Sequence, residues 1–118
     1  MKFNNLMDLI QVFANEYSIP GNTVLILGLH SVEIKRIFEF IDSFPIFVNT
    51  TNDHGVFDLI VDFSDFPFEE GSFDLILNFT TESKFFHLLK PGGHILMQGE
   101  ILNGKEYYFI NNLTFSVL

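Results

Sequence analysis

The sequence predicts an α/β domain on a mostly parallel sheet with flanking helices and a C-terminal β-hairpin. Three patterns carry that expectation. Val24 to Leu27 is an unbroken aliphatic run closed by Gly28, as a strand buried on both faces requires. Around it, apolar residues return every three or four positions, in Phe3, Leu6, Met7, Ile10 and Phe13 and again in Ile34, Ile37, Phe38 and Ile41. Near the end, Tyr107 to Ile110 and Leu113 to Leu118 flank Asn111-Asn112, a turn pair suited to a hairpin.

The elements follow in order. The first periodic stretch is a helix ended by Pro20-Gly21. After the Val24 strand, Ser31 is placed to cap the second helix, with Glu33 in its first turn and Pro45 beyond its end. Ile46 to Val48, Phe57 to Asp62 and Phe73 to Asn78 read as strands between segments rich in Thr, Asn, Asp, Gly and Pro. The link between the first two is short for a parallel crossover, so either it is extended and economical or the pair is antiparallel. Thr80 or Thr81 can cap a short helix carrying Phe85, Leu88 and Leu89, stopped by Pro91-Gly92-Gly93, and His94 to Gln98 is the next strand. Phe57-Asp58-Leu59-Ile60-Val61-Asp62-Phe63 recurs as Phe73-Asp74-Leu75-Ile76-Leu77-Asn78-Phe79, which reads as two strands with equal burial demands.

Composition narrows the function. The 118 residues show no composition break, so a single domain over 1–118 is expected. No apolar run reaches the ~18 residues of a membrane span. The first residues read as an amphipathic helix rather than a secretory leader, and cysteine is absent, so a cytoplasmic location is expected. Asn49-Thr50-Thr51, Asn78-Phe79-Thr80 and Asn112-Leu113-Thr114 match the glycosylation pattern by chance on that view. The net charge is −9, and between Arg36 and Lys84 there are ten acidic residues and no basic one. Such a stretch repels a phosphate backbone, so no direct nucleic-acid partner is expected; it can solubilise the chain or meet a basic protein. Sixteen phenylalanines without a tryptophan exceed what a small interior readily takes, since each ring buries ~150 Å² or more. Either coding bias explains them or some form an apolar patch covered by a second subunit.

The run Asp62-Phe63-Ser64-Asp65-Phe66-Pro67-Phe68-Glu69-Glu70-Gly71-Ser72-Phe73-Asp74, followed by Leu88-Leu89-Lys90-Pro91-Gly92-Gly93-His94, resembles the middle of class I S-adenosylmethionine-dependent methyltransferases. In that family an acidic residue ends the third strand, Ser-Phe-Asp opens the fourth and Leu-Lys-Pro-Gly-Gly leads into the fifth. The resemblance covers about residues 20 to 100. It implies a minimal Rossmann-like, doubly wound sheet whose first strand ends at Gly28, with S-adenosylmethionine as cofactor. Carried over position by position, the cofactor-binding candidates are Gly28, His30, Asn49, Asp62, Phe63 and Asn78.

The sequence also departs from the family. Where the family has an acidic residue and then Gly-x-Gly-x-Gly, this chain reads Ile26-Leu27-Gly28-Leu29-His30-Ser31-Val32, so only one glycine remains. Side chains at 30 and 32 enter space that a bare backbone would leave to the ligand. Asn49 stands where a carboxylate would hold the ribose hydroxyls, while Asp62 keeps the acidic position near the adenine and Phe63 could flank the ring. After the fourth strand, Asn78-Phe79-Thr80-Thr81 keeps only the Asn of the family's amino-methylating subgroup. His30, His54, His87 and His94 show no metal-ligand spacing, so no metal is expected. Glu69-Glu70 reads as a solvated turn. Two functional readings follow. One is a degenerate methyltransferase-like domain without autonomous methyl transfer, a noncatalytic subunit or homodimer acting through protein contact. The other is an active methyltransferase with an altered cofactor loop, acting on a small molecule or a partner-held substrate. No catalytic residue is assigned.

Overall fold

The computed structural model describes residues 2–51, 56–80, 85–99, 106–110 and 113–117, with the backbone alone at 106–109. Its elements are β1 (Lys2–Phe3), α1 (Leu6–Tyr17), β2 (Thr23–Leu27), α2 (Val32–Phe40), β3 (Phe44–Asn49), β4 (Leu59–Ile60), β5 (Phe73–Asn78), one 3-10 turn (Phe86–Leu88), β6 (Leu89–Gln98), β7 (Glu106–Ile110) and β8 (Leu113–Val117). They form one eight-stranded sheet in the order β1-β7-β8-β6-β5-β2-β3-β4. Every pairing is parallel except the two made by β8, with β6 and with β7. The α/β architecture and the C-terminal antiparallel pair are as the sequence predicts; Asn111-Asn112 lies outside the described residues.

Ser31 caps α2 as the sequence predicts, and α1 begins at a cap not expected from the sequence, Asn5. Asn5 Oδ1 accepts the Asp8 N–H at 2.9 Å, and Ser31 Oγ accepts that of Ile34 at 3.3 Å. Because Asn5 starts α1, Phe3 is not on the helix as its spacing suggested; it pairs with Ile110 at the sheet edge. One sheet face packs Val24, Ile26, Phe47, Leu75 and Leu77 against Leu9, Ile10 and Phe13 of α1 and Ile34 and Phe38 of α2. The opposite face carries Leu25, Leu27, Val48, Ile76 and Ile95 and has no helix over it among the described residues. There the chain between β4 and β5 lays down Phe63, Phe66 and Phe68 with Phe85 and Leu88. Phe63 and Phe66 stack at 5.6 Å, and both meet the fully buried Phe85 edge-on at 5.5 and 5.2 Å. Each such pair adds about 0.5–1.5 kcal/mol beyond area burial. Much of the phenylalanine surplus is thus a layer of rings doing the covering work of a helix.

The structure resolves one open alternative and corrects several local expectations. β3 and β4 run parallel, Val48 opposite Leu59 and Asn49 opposite Ile60, so the economical link is the one used. β4 is two residues long, and Leu59 and Ile60 are 37% and 42% exposed, whereas Leu75, Ile76 and Leu77 of β5 are buried. The repeated heptapeptides therefore do not share burial demands. They share a backbone clamp: Asp74 Oδ2 accepts the Thr23 N–H at 2.9 Å and Asp58 Oδ2 accepts the Phe47 N–H at 2.9 Å. In both copies the Asp precedes a Leu paired one residue beyond the clamped N–H, Val24 with Leu75 and Val48 with Leu59.

Among the described residues, the helix expected near Phe85 is the 3-10 turn Phe86–Leu88, which ends where Leu89 pairs with Phe73 in β6. Pro91-Gly92-Gly93 lies inside the strand rather than before it. From Leu89 to His94 the chain takes five steps while β5 takes two, Phe73 to Leu75, so Lys90 to Gly93 bulges out. Gly93 is required at the close: a Cβ there would stand 2.6 Å from the Asp74 carbonyl oxygen and 2.8 Å from the Leu89 side chain. No helix among the described residues is long and apolar enough to cross a membrane.

Gly93→Ala is expected to lower unfolding stability by about 2–3 kcal/mol, seen as a lower urea midpoint at unchanged slope. Stability within about 0.5 kcal/mol of wild type would show that β5 and β6 part easily at the bulge.

Candidate functional site

In an open parallel sheet the ligand crevice lies outside the carboxyl ends of the strands, where the winding changes direction. Here that point is β2, flanked by β3 and β5. Leu27 pairs with both Val48 and Asn78, so Gly28, Asn49 and Phe79 leave the sheet side by side.

Gly28 donates its N–H to Val48 O at 3.0 Å and has φ +84°, a conformation that favours glycine. A Cβ at this position would meet Thr80 Cγ2 at 2.8 Å and the Phe79 carbonyl carbon at 3.4 Å. The close approach that Gly28 permits is thus made by the chain leaving β5. Phe79 N donates to Leu27 O at 3.0 Å, pinning that segment to β2. Asn78 is buried, and its Oδ1 accepts from Thr80 N at 2.9 Å and Thr80 Oγ1 at 2.6 Å, which folds Thr80 back over Gly28. A side chain at a strand end takes up the turn's backbone donor.

The other candidates spread along the same edge. Asn49 is half-buried; its Oδ1 accepts the Thr50 N–H at 2.9 Å and its backbone oxygen the Val61 N–H at 3.0 Å. Asp62 is exposed, and its Oδ1 accepts from Ser64 N at 2.9 Å and Ser64 Oγ at 2.8 Å. These bonds, the backbone one first, hold the Asp62 carboxyl below its ordinary 3.8. His30 packs its ring 4.7 Å from Phe47 and 6.2 Å from Phe57 on the helix-covered side. Phe63 lies with the ring layer on the other face. Gly28, Asn78 and Asn49 are brought together; His30 and Phe63 are on opposite sides of the sheet.

The sequence offers Thr80 as a possible helix cap, not as the residue that closes on Gly28, and it does not signal the cleft beside it. That cleft, about 320 Å³, is lined by Phe79, Thr80, Met97, Gln98 and Gly99 at the carboxyl ends of β5 and β6. The Asn-x-Thr spacing could have signalled the turn. Among the described residues no three His, Asp or Glu side chains stand close enough to hold a metal ion. The His94 ring packs against Tyr17 at 4.1 Å, tilted by 34°, and Glu69 and Glu70 are exposed. His54 and Thr81 lie outside the described residues.

Solved structures share this fold. A candidate S-adenosyl-L-methionine-dependent methyltransferase from Methanococcus maripaludis superposes with a TM-score of 0.59 and 14% identity, over 77% of this chain and 53% of its own. The PH0226 protein of Pyrococcus horikoshii OT3 gives a TM-score of 0.66 and 10% identity, over 94% of this chain and 87% of its own. The complex between the Haloferax volcanii Trm112 methyltransferase activator and its candidate methyltransferase holds a chain matching with a TM-score of 0.53 and 15% identity, over 77% and 56%. This chain spans about half the length of the Methanococcus protein. No protein-family model matches the sequence, and no curated protein matches it at the sequence level. At these identities the likeness establishes the fold and nothing finer.

Two outcomes follow from the strand-end geometry. Gly28→Ala is expected to destabilise by about 2 kcal/mol or more, and Thr80→Ser in the same chain to recover only part, since removing the methyl relieves the contact and not the positive φ. Full recovery would make contact the whole cause. Asp62 is expected to titrate below 3.8 in an NMR pH series. With its folded value depressed, its stabilising contribution is present above the unfolded value and lost as pH falls through the folded one. Ser64→Ala should move the midpoint up only partway, because the backbone donor remains; a wild-type midpoint at or above 3.8 contradicts the turn.

Proposed function

We propose that this chain, whose fold is that of the class I S-adenosylmethionine-dependent methyltransferases, does not transfer methyl groups on its own and acts through protein contact. The observation that carries the reading is the closure of Thr80 over Gly28, 2.8 Å from where a Cβ would stand. The one position that keeps the family's glycine is covered by the chain itself. Other features agree. Ile26, His30 and Val32 replace an acidic residue and two glycines of the cofactor loop. The His30 ring is packed against Phe47, and the Asn49 side-chain Oδ1 and one Asp62 oxygen already serve local turns. On these counts the residues fit S-adenosylmethionine poorly, and no chemical step is derived through it.

A fold of this kind persists after its chemistry is gone, since function resides in the site and not in the sheet. The Haloferax structure, in which a candidate methyltransferase is held by an activator protein, gives the contact reading a precedent among structures of this fold. The partner is a second protein or a second copy of this chain, and the excess of acid argues against direct nucleic-acid contact. The absence of cysteine suits the cytoplasm, where we place it.

A second reading is an active methyltransferase in which Gly28, His30, Asn49, Asp62, Phe63 and Asn78 hold the cofactor once the Thr80 turn is displaced; the cleft that Phe79 and Thr80 themselves line gives that turn space to move into. Calorimetric titration with S-adenosylmethionine and S-adenosylhomocysteine separates the two. The expected result is no binding tighter than about 100 μM, or ~5.5 kcal/mol; tighter binding favours the enzyme.

A further inference from the structure

The reading that this chain acts through protein contact leaves the contact unspecified, and the inference below rests on that reading. The exposed apolar side chains are not scattered evenly. Phe40 is 90% exposed and Phe44 63%, four residues apart across the turn from α2 into β3. Val32, Arg36 and Phe40 stand four residues apart, one stripe along the outer side of α2, while Ile34 and Phe38 face the sheet. Beside the stripe is a cleft of about 330 Å³ lined by Lys35, Glu39, Asp42, Ser43, Phe44 and Pro45. One small surface therefore holds a protruding ring and, beside it, an open recess floored in part by the apolar Phe44 and Pro45.

We propose that this surface is a two-fold interface between two copies of this chain, Phe40 of each seated in the cleft of the other. A two-fold contact requires that a patch complement itself, and a knob beside a hole does so. Charge selects the same occupant. The chain carries −9, so two copies repel over most of their surfaces. On α2, Lys35 and Arg36 offset Glu33 and Glu39, and Lys35-Arg36 is the only adjacent basic pair in the sequence. The exposed charges of α2 cancel, and Asp42 at the cleft wall leaves this surface only slightly acidic, so two copies meet here with far less repulsion than elsewhere and present cations and carboxylates to one another. Lys35 at the cleft wall can also lie over the entering ring.

The recess is built in advance. Ser43 Oγ bonds Ser18 Oγ at 2.6 Å and donates to Ile19 O at 3.2 Å. Asp42, at φ +60°, accepts the Gly21 N–H at 2.9 Å through its carbonyl, and Phe44 N donates to Asn22 O at 2.8 Å. A turn so tied loses little freedom when a ring enters. The surface sits around the amino end of β3, away from the strand carboxyl ends where Thr80 covers Gly28.

Sedimentation equilibrium of the full chain tests the proposal, with far-UV circular dichroism to confirm that each variant folds. Wild type is expected to dimerise at about 50 μM, and Phe40→Glu to raise the dissociation constant at least about 30-fold. Leu113→Glu, which places the same charge on an exposed apolar position of β8, leaves it unchanged. Lys35→Glu weakens the dimer, and adding Glu39→Lys restores it. A monomeric wild type, an undiminished Phe40→Glu dimer, or a double reversal that stays weak overturns the interface. Titrating the same samples with S-adenosylmethionine keeps the two readings apart: a Phe40-dependent dimer that binds the compound overturns the noncatalytic reading alone, and a monomer that ignores it overturns this interface alone.

Discussion

A central sheet strand has two apolar faces, and neither can be left in water. Here two helices cover one face and none of the described residues forms a helix over the other. Leu25, Leu27, Val48, Ile76 and Ile95 would be open without the rings of Phe63, Phe66, Phe68 and Phe85. At about 25 cal/mol per Å² of apolar surface, rings that each bury ~150 Å² or more contribute several kcal/mol apiece to the gross hydrophobic term. Only aromatic side chains deliver that area from an irregular segment. The richness in phenylalanine, the short link between β3 and β4 and the absence of a second helical layer among the described residues are one fact seen three ways.

The same economy shapes the strand ends. Gly28 keeps the conformation that lets another backbone come close, and the chain leaving β5 comes close there. Asn78 holds that segment in place, so the crevice is organised by hydrogen bonds within the protein. His30 and Phe63, which a family pattern would place around one ligand, are absorbed into packing on opposite faces.

How much of this was legible in the sequence follows from which forces are local. Caps at Asn5 and Ser31 bond three residues ahead, so the starts of α1 and α2 depend on their own neighbourhoods, though only Ser31 was read as a cap beforehand. Strands buried on both faces announce themselves as aliphatic runs, as at Val24 to Leu27. What the sequence hid was decided at a distance. Phe3 has helical spacing but finds a partner in Ile110, and Leu89 looks like the end of a helix but pairs with Phe73. Of the site, the positions Gly28, Asn49 and Asn78 were readable from the motif; that Thr80 would lie over Gly28 was not, because it depends on how two strands leave the sheet together.

The duplicated heptapeptide carries one more consequence. Phe57 to Phe63 and Phe73 to Phe79 each bring the same carboxylate hook and the same alternation of large apolar groups, so a chain that is still collapsing has two near-equivalent occupants for the berth alongside β2. Burial on both sides tells them apart. The interior berth goes to the copy with Leu77 and Asn78, and the rim to the copy with Val61 and Asp62, whose carboxylate would be stranded in the interior.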